Sequence, residues 1–185
     1  MPQIPIFITG NQNKANYLAK WLNIELSHQK VDLDEIQSTS LDEIVTHKVR
    51  QAYDLIKKPV LVEDVSLGFN ALNGLPGPFI KFFLGVPGGL EKLCRMLDGF
   101  DDRSAKGECI FGYYDGERLE LFRGSIEGMI TANPRGDNGF GWDSIFEPTG
   151  YEGKTRAELS PDDYTAVYAT IRPFAALHNF LKSSD

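Results

Sequence analysis

The sequence lacks the residue spacings that mark a structural metal centre or a disulfide framework. Cys94 and Cys109 are isolated, and only three histidines occur in 185 residues. Neither His47 nor His178 has a cysteine or histidine partner at ligand spacing, so we expect both imidazoles to be structural or solvated. Isolated cysteines are typical of a reducing compartment, and we therefore expect a cytoplasmic protein with reduced thiols.

Long basic runs and long apolar runs are also missing. The formal net charge is -7 and no Lys/Arg cluster occurs, which argues against a nucleic-acid polymer as partner. Small phosphorylated ligands remain compatible with this charge, since they need only a few local cations. The opening residues, MPQIPIFITG, contain no basic leader and too short an apolar run for a signal peptide or a membrane span. We therefore expect no membrane association.

The composition that is present fits one globular domain. Hydrophobic residues make up 42% of the chain and charged residues 24%, in a length sufficient for a sizeable core. No internal repeat or low-complexity linker divides the sequence. We therefore expect a single domain over residues 1–185.

The central stretch Pro59–Phe83, PVLVEDVSLGFNALNGLPGPFIKFF, holds acidic and basic side chains on rigid backbone. Its opening run Val60–Val62 predicts a short strand, covered on both faces, that stops at Glu63 and Asp64. Side chains at the end of such a strand lie at the sheet edge where α/β proteins bind ligands. A stiff Gly-Pro turn then leads to Lys81. The alternative is that the two carboxylates are ordinary solvated residues.

The first predicted strand leads directly into a candidate anion site. Ile4–Thr9 is rich in β-branched residues and alternates in polarity, and the turn Thr9–Lys14 (TGNQNK) precedes a predicted helix. Backbone N–H groups at the helix N-terminus, together with the Lys14 ammonium, would attract a phosphate. A plain strand-to-helix turn is the alternative. The apolar face of the helix is expected to comprise Tyr17, Leu18, Trp21 and Leu22.

Acidic residues follow the next predicted strand, His28–Leu33. Asp32, Asp34 and Glu35 carry the oxygen ligands that Mg²⁺ prefers, and Mg²⁺ usually binds one or two carboxylates together with substrate phosphates. The alternative is that these are solvated loop residues.

Two capping sequences predict helix starts. Ser40–Glu43 matches a capping box, and an apolar stripe at helical spacing follows it. Lys48 lies off this stripe and would reach a phosphate if the helix borders the site. Ser160–Asp163 combines a capping serine, an early proline and two acids. Pro173 interrupts the pattern that follows, which predicts either a kink or a second helix.

A hairpin is predicted in the second half of the chain. Gly107–Tyr114 and Leu119–Arg123 read as strands on either side of Asp115-Gly116, and Asp-Gly is a strong turn signal. Ser125–Thr131 is expected to add another strand, and Ser144–Phe146 a further one.

A Gly-rich loop is followed by a candidate platform for a planar base. Phe140 and Trp142 flank one glycine, and Asp143 comes next. Two aromatic rings and a hydrogen-bond acceptor would suit a nucleobase. The alternative is an aromatic pair that belongs to the core.

Four segments in this order resemble the inosine triphosphate pyrophosphatase family. They are TGNQNK at Thr9–Lys14, LVEDVSLGFNALNGLPGPFIKFF at Leu61–Phe83, FRG at Phe122–Gly124 and FGWDSIFEPTGYE at Phe140–Glu152. The resemblance implies an elongated α/β fold with a mixed central sheet flanked by helices, two lobes and a central cleft, usually as a homodimer. It also implies Mg²⁺-dependent hydrolysis of a nucleoside triphosphate, such as inosine or xanthosine triphosphate, to monophosphate and pyrophosphate, which cleans the nucleotide pool.

The resemblance also implies site residues by position. Those that would hold the triphosphate are Thr9, Asn11, Lys14, Lys48 and Lys81. Those that would bind the metal are Glu35, Asp64 and Glu63, with Asp32 nearby. Those that would bind the base are Phe140, Trp142 and Asp143. The catalytic candidates are Asp64, Glu35 and Lys14, with Asp64 orienting or deprotonating the water that attacks the α-phosphorus.

The family pattern breaks near the end of the chain. Where the family has a Lys-Asn pair and then Ser-His-Arg, this chain has Tyr164-Thr165 and then Tyr168-Ala169-Thr170. Losing donors aimed at a base edge removes the discrimination they provide, although Arg172 lies close enough in sequence to substitute. The favoured hypothesis is an active pyrophosphatase with an altered base preference. The alternative is a nucleotide-binding relative with little or no catalysis, acting as a sensor or partner subunit; a scaffold that binds no nucleotide is least favoured.

Overall fold

The computed structural model describes residues 3–182. The helices are α1 (Gln12–Leu22), α2 (Leu41–Ile56), α3 (Ile80–Leu84), α4 (Gly89–Arg95), α5 (Pro161–Ile171) and α6 (Phe174–Lys182). The strands are β1 (Ile6–Ile8), β2 (His28–Gln29), β3 (Val60–Phe69), β4 (Pro76–Gly77), β5 (Ser104–Tyr114), β6 (Leu119–Ile130) and β7 (Phe146–Pro148). Single 3₁₀ turns cover Asn70–Leu72 and Arg156–Glu158. Across residues 3–182, no helix combines the length and the apolarity needed to span a lipid bilayer.

The strands form one mixed sheet, which confirms the α/β fold class expected from the sequence. The strand order is β2-β1-β3-β5-β6-β7, and β4 pairs with β3. The strand β1 runs parallel to both β2 and β3, whereas the pairs β3–β4 and β6–β7 are antiparallel. Because β1 and β2 are parallel, their carboxyl ends meet at one edge, so the segments that follow them start close together.

The chain forms two compact units. The first contains the described residues up to Asp64, the segment Cys109–Arg123 and the residues from Pro173 onward. The second contains Val65–Glu108 and Gly124–Arg172. The strands β3, β5 and β6 each run from one unit into the other.

The core of the first unit forms where the helix α2 packs against the sheet. Its buried cluster comprises Ile8, Leu41, Val45, Val49, Ala52, Val60, Val62 and Ile110. At Gly112 an added Cβ would lie 2.6 Å from Val45 Cγ1, so only glycine allows this close approach of helix and strand. The helix α6 packs on α1, where the rings of Trp21 and Phe174 stack at 5.1 Å. Leu18 and Leu22 are buried as expected, while Trp21 remains 37% exposed at the edge of this face.

The core of the second unit lies under the helix α4 and the strand β6. Leu67, Phe69, Leu93, Leu97, Ile130, Ile145 and Phe146 are all fully buried or nearly so. Arg103 ties two of these elements together, because its Nη2 donates to the carbonyl oxygens of Cys94 and Thr131, each at 2.7 Å. Both cysteines are buried and unbridged, as the sequence predicted.

The predicted helix starts are confirmed. The Ser40 hydroxyl accepts from the Glu43 N–H at 3.3 Å, and the Ser160 hydroxyl accepts from the Asp163 N–H at 3.2 Å. The capping box at Ser40 is only half formed, because the Ser40 N–H donates to Ser38 Oγ at 3.0 Å. Pro173 separates α5 from α6, so the structure has two helices here rather than one kinked helix.

Several predicted strand boundaries are wrong. The strand β3 does not stop at Glu63 and Asp64 but continues to Phe69, where it pairs with β4. The second strand covers only His28–Gln29, because the three-residue strand β1 offers no further backbone to pair with. The strands predicted at Leu119–Arg123 and Ser125–Thr131 are one continuous strand, β6.

Candidate active site

Lys48 joins two of the predicted metal-binding carboxylates. Its Nζ lies 2.6 Å from Asp64 Oδ2 and 3.5 Å from Glu35 Oε1. Three separate segments supply these groups, namely the helix α2, the strand β3 and the loop after β2. The Lys48 side chain is 16% exposed, so two negative charges converge on one largely buried cation.

A second ion pair lies beside this one on the same strand. Lys14 Nζ is 3.5 Å from Glu63 Oε2, and the Glu63 side chain is only 5% exposed. The Cys109 thiol donates to Glu63 Oε1 at 3.8 Å. Adjacent residues of a strand point to opposite faces, so Glu63 and Asp64 engage different lysines.

The Thr9–Lys14 turn folds into a capped helix start. The Asn11 N–H donates to Thr9 Oγ1 at 3.1 Å, and the Lys14 N–H donates to Asn11 Oδ1 at 3.2 Å. The Asn11 side chain therefore occupies the N-cap position of α1. The turn places the positive end of the helix dipole beside the Lys14 ammonium, an arrangement that favours an anion.

A cavity of about 240 Å³ lies beside these ion pairs. The polar residues that line it are Thr9, Gly10, Asp32, Glu35, Lys48 and Glu63. Its walls therefore combine the helix-start turn with carboxylates and an ammonium. Asp32, which the sequence placed near the metal site, also lines this cavity.

The donor set of the cavity fits Mg²⁺ as a substrate-bound ion. Within residues 3–182, no group of three or more His, Cys, Asp or Glu side chains lies close enough to hold a metal by itself. Mg²⁺ commonly takes one or two carboxylates and completes its shell with waters and substrate phosphates. Glu35 and Asp64 already converge on a cation, Lys48 Nζ, and thus supply that number of carboxylates.

Lys81 lies in the second unit, on the helix α3. Its ammonium is 4.9 Å from the centroid of the Phe82 ring. Partial burial lowers the pKa of this ammonium below its usual value. The sequence predicted that Lys81 binds phosphate, and this role stays a prediction.

The platform sequence Phe140–Asp143 folds around a buried carboxylate. Asp143 is 2% exposed, and its Oδ2 accepts from the Phe140 N–H at 3.0 Å and from the Tyr164 hydroxyl at 2.8 Å. Its Oδ1 lies 2.6 Å from Nη1 of Arg156. Gly139 and Gly141 both have positive φ, at 82° and 64°, which lets the chain wrap around this carboxylate.

The two aromatic residues of the platform have different environments. The Phe140 side chain is 58% exposed and accessible to a ligand. Trp142 is 7% exposed and meets the Phe146 ring edge-on at 5.1 Å. Phe140 therefore matches the platform hypothesis, whereas Trp142 is chiefly a core residue.

The residues that depart from the family pattern form a compact polar and aromatic group. Burial, reinforced by the nearby Asp143 carboxylate, raises the pKa of Tyr164 well above its ordinary value, so its hydroxyl stays protonated and donates. The Tyr168 ring lies 6.4 Å from that of Tyr164. The guanidinium of Arg172 stacks on Tyr168 at 3.7 Å. Arg172 thus belongs to the same group as Tyr164, and its substitution for the missing base readers stays a prediction.

Arg156 is the member of this group that sequence reasoning missed. It is 3% exposed, and its guanidinium carbon lies 5.2 Å from the Trp142 ring and 5.0 Å from the Tyr164 ring. A signal was present, because Thr155 and Glu158 have the spacing of a capping box and enclose Arg156 in a short turn. The Glu158 carboxylate does accept from the Thr155 N–H, at 2.8 Å.

Known proteins resemble this chain over nearly its full length. The model of the Ham1 family matches residues 5–180. An inosine triphosphate pyrophosphatase of Candida albicans is 49% identical over 200 residues, which cover 96% of this chain and 97% of that protein. One from Yarrowia lipolytica is 44% identical over 181 residues, covering 95% of this chain and 94% of that protein.

Solved structures show the same fold. A HAM1 protein from Coxiella burnetii superposes with a TM-score of 0.85 at 26% identity, covering 97% of this chain and 98% of the other. A Mycobacterium abscessus protein described as a nucleoside-triphosphatase and dITP/XTP pyrophosphatase has a TM-score of 0.79 at 26% identity, with 93% and 97% covered.

Proposed function

Since the chain belongs to the Ham1 family, we propose that it hydrolyses a nucleoside triphosphate to the monophosphate and pyrophosphate. Relatives named as inosine triphosphate pyrophosphatases support a deaminated purine as the base, and hence a role in cleaning the nucleotide pool. One observation carries the proposal. Lys48 gathers Glu35 and Asp64, and Lys48 and Glu35 line a cavity that the Thr9–Gly10 turn also lines.

Asp64 is the residue proposed to orient and deprotonate the attacking water. Its carboxylate is partly exposed, at 24%, and is fixed by Lys48 at 2.6 Å. A general base must be held in place, and the shorter contact with Lys48 favours Asp64 over Glu35, which is more exposed and lies 3.5 Å from the same ammonium. Water attack at the α-phosphorus then releases pyrophosphate as the leaving group.

The triphosphate is proposed to bind at the start of α1. The positive end of the helix dipole and the Lys14 ammonium supply positive potential. Lys48 and Lys81 are proposed to add cations along the polyphosphate. Thr9 and Asn11 hold the turn in shape through their own hydrogen bonds.

Mg²⁺ is the proposed cofactor, with Glu35 and Asp64 as its first ligands and Glu63 nearby. When bound, it would neutralise phosphate charge and orient the phosphate oxygens. Lys48 now pairs with Asp64, and Lys14 with Glu63. Each lysine would then turn toward the phosphates, because it can exchange one anionic partner for another.

The base is proposed to stack on Phe140, beside Asp143. The ring of Phe140 is exposed, whereas its backbone is held in place because its N–H donates to Asp143 Oδ2. An aromatic ring accepts any base, so stacking supplies affinity while other groups supply selectivity.

A second candidate function is nucleotide binding with little or no turnover. It is favoured by Tyr164, which stands where the family has a lysine and whose hydroxyl donates to Asp143. This replacement removes a cation that would hold phosphate. A sensor or a partner subunit would show such a loss, whereas an active enzyme must compensate for it with Lys14, Lys48 and Lys81.

Further properties follow from the family resemblance and are proposals of the same kind. We propose a homodimer, a cytoplasmic location and one two-lobed domain over residues 1–185. Three strands that run through both compact units support the single domain. Equilibrium sedimentation would establish the number of chains per particle.

The deciding experiment measures pyrophosphate release with Mg²⁺ over a panel of triphosphates. The panel contains inosine, xanthosine, the standard ribo and deoxy compounds and methylated pyrimidines, each with and without a chelator. We expect turnover of the inosine and xanthosine compounds that stops when the chelator is added. Nucleotide binding without any release would instead establish the second candidate function.

A further inference from the structure

The buried guanidinium of Arg156 has hydrogen-bond donors that the protein leaves unused. Its Nη1 lies 2.6 Å from Asp143 Oδ1. Among residues 3–182, its Nε and Nη2 have no hydrogen-bond partner, and each has less than 1 Å² of accessible surface. Buried donors without partners are costly and rare in folded proteins, and a ligand that accepted from both would remove that cost.

The two unused nitrogens of Arg156 form one side of a planar fork. The N–H bonds at Nε and Nη2 are nearly parallel, which is the arrangement that binds two neighbouring acceptors at once. Contacts on three sides fix this fork. Asp143 holds Nη1, and the rings of Trp142 and Tyr164 lie 5.2 and 5.0 Å from the guanidinium carbon.

The backbone beneath Arg156 is also fixed. The neighbouring Ala157 N–H donates to the Asp143 carbonyl at 3.2 Å, and the Asn138 N–H donates to the Ala157 carbonyl at 3.3 Å. The Thr155 hydroxyl donates to the Arg135 carbonyl at 2.9 Å. The turn therefore presents the fork in one orientation, and binding loses little conformational entropy in ordering it.

The chemistry of the fork favours a neutral pair of acceptors over an anion. Arginine forks also bind phosphate and carboxylate, but the charge of Arg156 is already matched by Asp143. A 6-oxopurine offers two neutral acceptors, O6 and N7, at the spacing that arginine reads in guanine. Adenine instead places an amino donor at the same edge. Pyrimidines have no such pair of acceptors on this edge.

We propose that Arg156 is a specificity-determining residue that donates from Nε and Nη2 to N7 and O6 of a 6-oxopurine base. The inference rests on the proposed function and assigns its base selectivity to a residue of this chain. Asp143 links the two parts of the base site, because it accepts from both Arg156 and the Phe140 N–H. In this arrangement Arg156 selects 6-oxopurine bases over adenine. It does not distinguish hypoxanthine from guanine, since both present O6 and N7, and that selection requires other groups.

The test compares inosine triphosphate with its 7-deaza analogue, which keeps O6 and lacks N7. With wild-type protein, kcat/KM for inosine triphosphate should exceed that for the analogue by at least about fivefold, because one buried donor loses its acceptor. Arg156→Lys keeps the positive charge opposite Asp143 but has no fork. In this variant the ratio of the two values should fall toward one, and the preference for inosine over adenosine triphosphate should shrink with it.

Arg95→Lys is the matched control, since Arg95 is 79% exposed on the helix α4 and should leave both ratios unchanged. Equal kcat/KM for the two substrates with wild-type protein would overturn the assignment, and this comparison does not depend on the folding of any variant. An Arg156→Lys protein that folds and keeps the wild-type ratios would overturn it as well.

The same pair of nucleotides separates a failure of this inference from a failure of the proposed function. If no triphosphate releases pyrophosphate, the proposed function fails, and competition binding then replaces turnover. Tighter binding of inosine triphosphate than of its 7-deaza analogue would still support Arg156 as the reader. Equal affinities would assign the guanidinium a purely structural role.

Discussion

Asp64 carries both a charge partner and a solvent-accessible oxygen, which distinguishes it from its neighbour Glu63. We expect Asp64→Asn to lower pyrophosphate release by about a hundredfold or more, because an amide cannot accept a proton from water. The midpoint of thermal unfolding should change little, since Lys48 keeps Glu35 at 3.5 Å and the site is partly exposed. Steady-state kinetics and a thermal melt of the same preparation test both points.

Asp54→Asn serves as the control for this variant. Asp54 is a carboxylate of the same unit, 72% exposed on the helix α2, where it pairs with Lys57 at 3.0 Å. The turnover of the Asp54→Asn protein should equal that of the wild type. Full activity in Asp64→Asn would remove Asp64 from the reaction.

Phe140 offers a ring surface rather than a charge, so its loss should appear in binding. We expect Phe140→Ala to raise KM for the triphosphate by about 5- to 150-fold, the range for one stacked base, with a smaller change in kcat. Phe100→Ala is the control, because Phe100 is an exposed phenylalanine of the same unit at 46%. Identical kinetics in wild type and Phe140→Ala would exclude stacking at this ring.

Individual site residues differ in how far the sequence predicts them. Lys14 and Asp64 lie in short motifs whose chemistry is local, and the structure brings both to ion pairs beside the cavity. Trp142 is adjacent to Phe140, yet only the packing of Phe146 reveals that its ring is buried. For Arg156 the sequence marks only the capped turn that encloses it, because its environment depends on Asp143 and Tyr164, which reach it from other parts of the chain.

At the scale of elements, the Ser40 cap stabilises the start of α2, the helix that carries Lys48. We expect Ser40→Ala to lower the free energy of unfolding by about 1 kcal/mol, because the Glu43 N–H loses the Ser40 hydroxyl as acceptor. Urea denaturation measures this difference. Ser125→Ala, at an exposed strand position, is the control and should stay within about 0.5 kcal/mol of wild type. Equal stability of Ser40→Ala and wild type would show that the hydroxyl does not stabilise the helix.

Helices were predicted better than strands, for a physical reason. A helix closes its hydrogen bonds within itself, so capping residues such as Ser40 and Ser160, and the breaker Pro173, mark its ends locally. A strand ends where its neighbours end. The strand β3 continues past Asp64 because β5 and β4 are its neighbours in the sheet, and β2 stops after two residues because β1 is short. None of these partners can be read from the local sequence.

At the scale of the whole molecule, a buried tyrosine should limit stability at alkaline pH. Burial raises the pKa of Tyr113 to about 12, against about 10 for an exposed tyrosine. Between these values the unfolded chain releases the proton while the folded chain retains it, so the free energy of unfolding falls as pH rises above about 10. The stabilisation is fully present below that pH.

We expect Tyr113→Phe to lose less stability than wild type when the pH is raised from about 9 to about 11. Urea unfolding across this interval measures the two slopes, with the values near pH 7 as reference. The hydroxyl accepts from the Gln3 N–H and donates to Asp115, so the variant should start from a somewhat lower value. Parallel curves for the two proteins would assign the alkaline loss to other groups.

The path of the chain through its two units has a consequence for synthesis on the ribosome. The helix α6 completes the first unit by stacking Phe174 on Trp21 of α1, although more than a hundred residues separate them in sequence. The nascent chain therefore carries an unfinished apolar surface on α1 until residues 174–182 have left the exit tunnel. We therefore expect this unit to complete its core only after these residues have emerged.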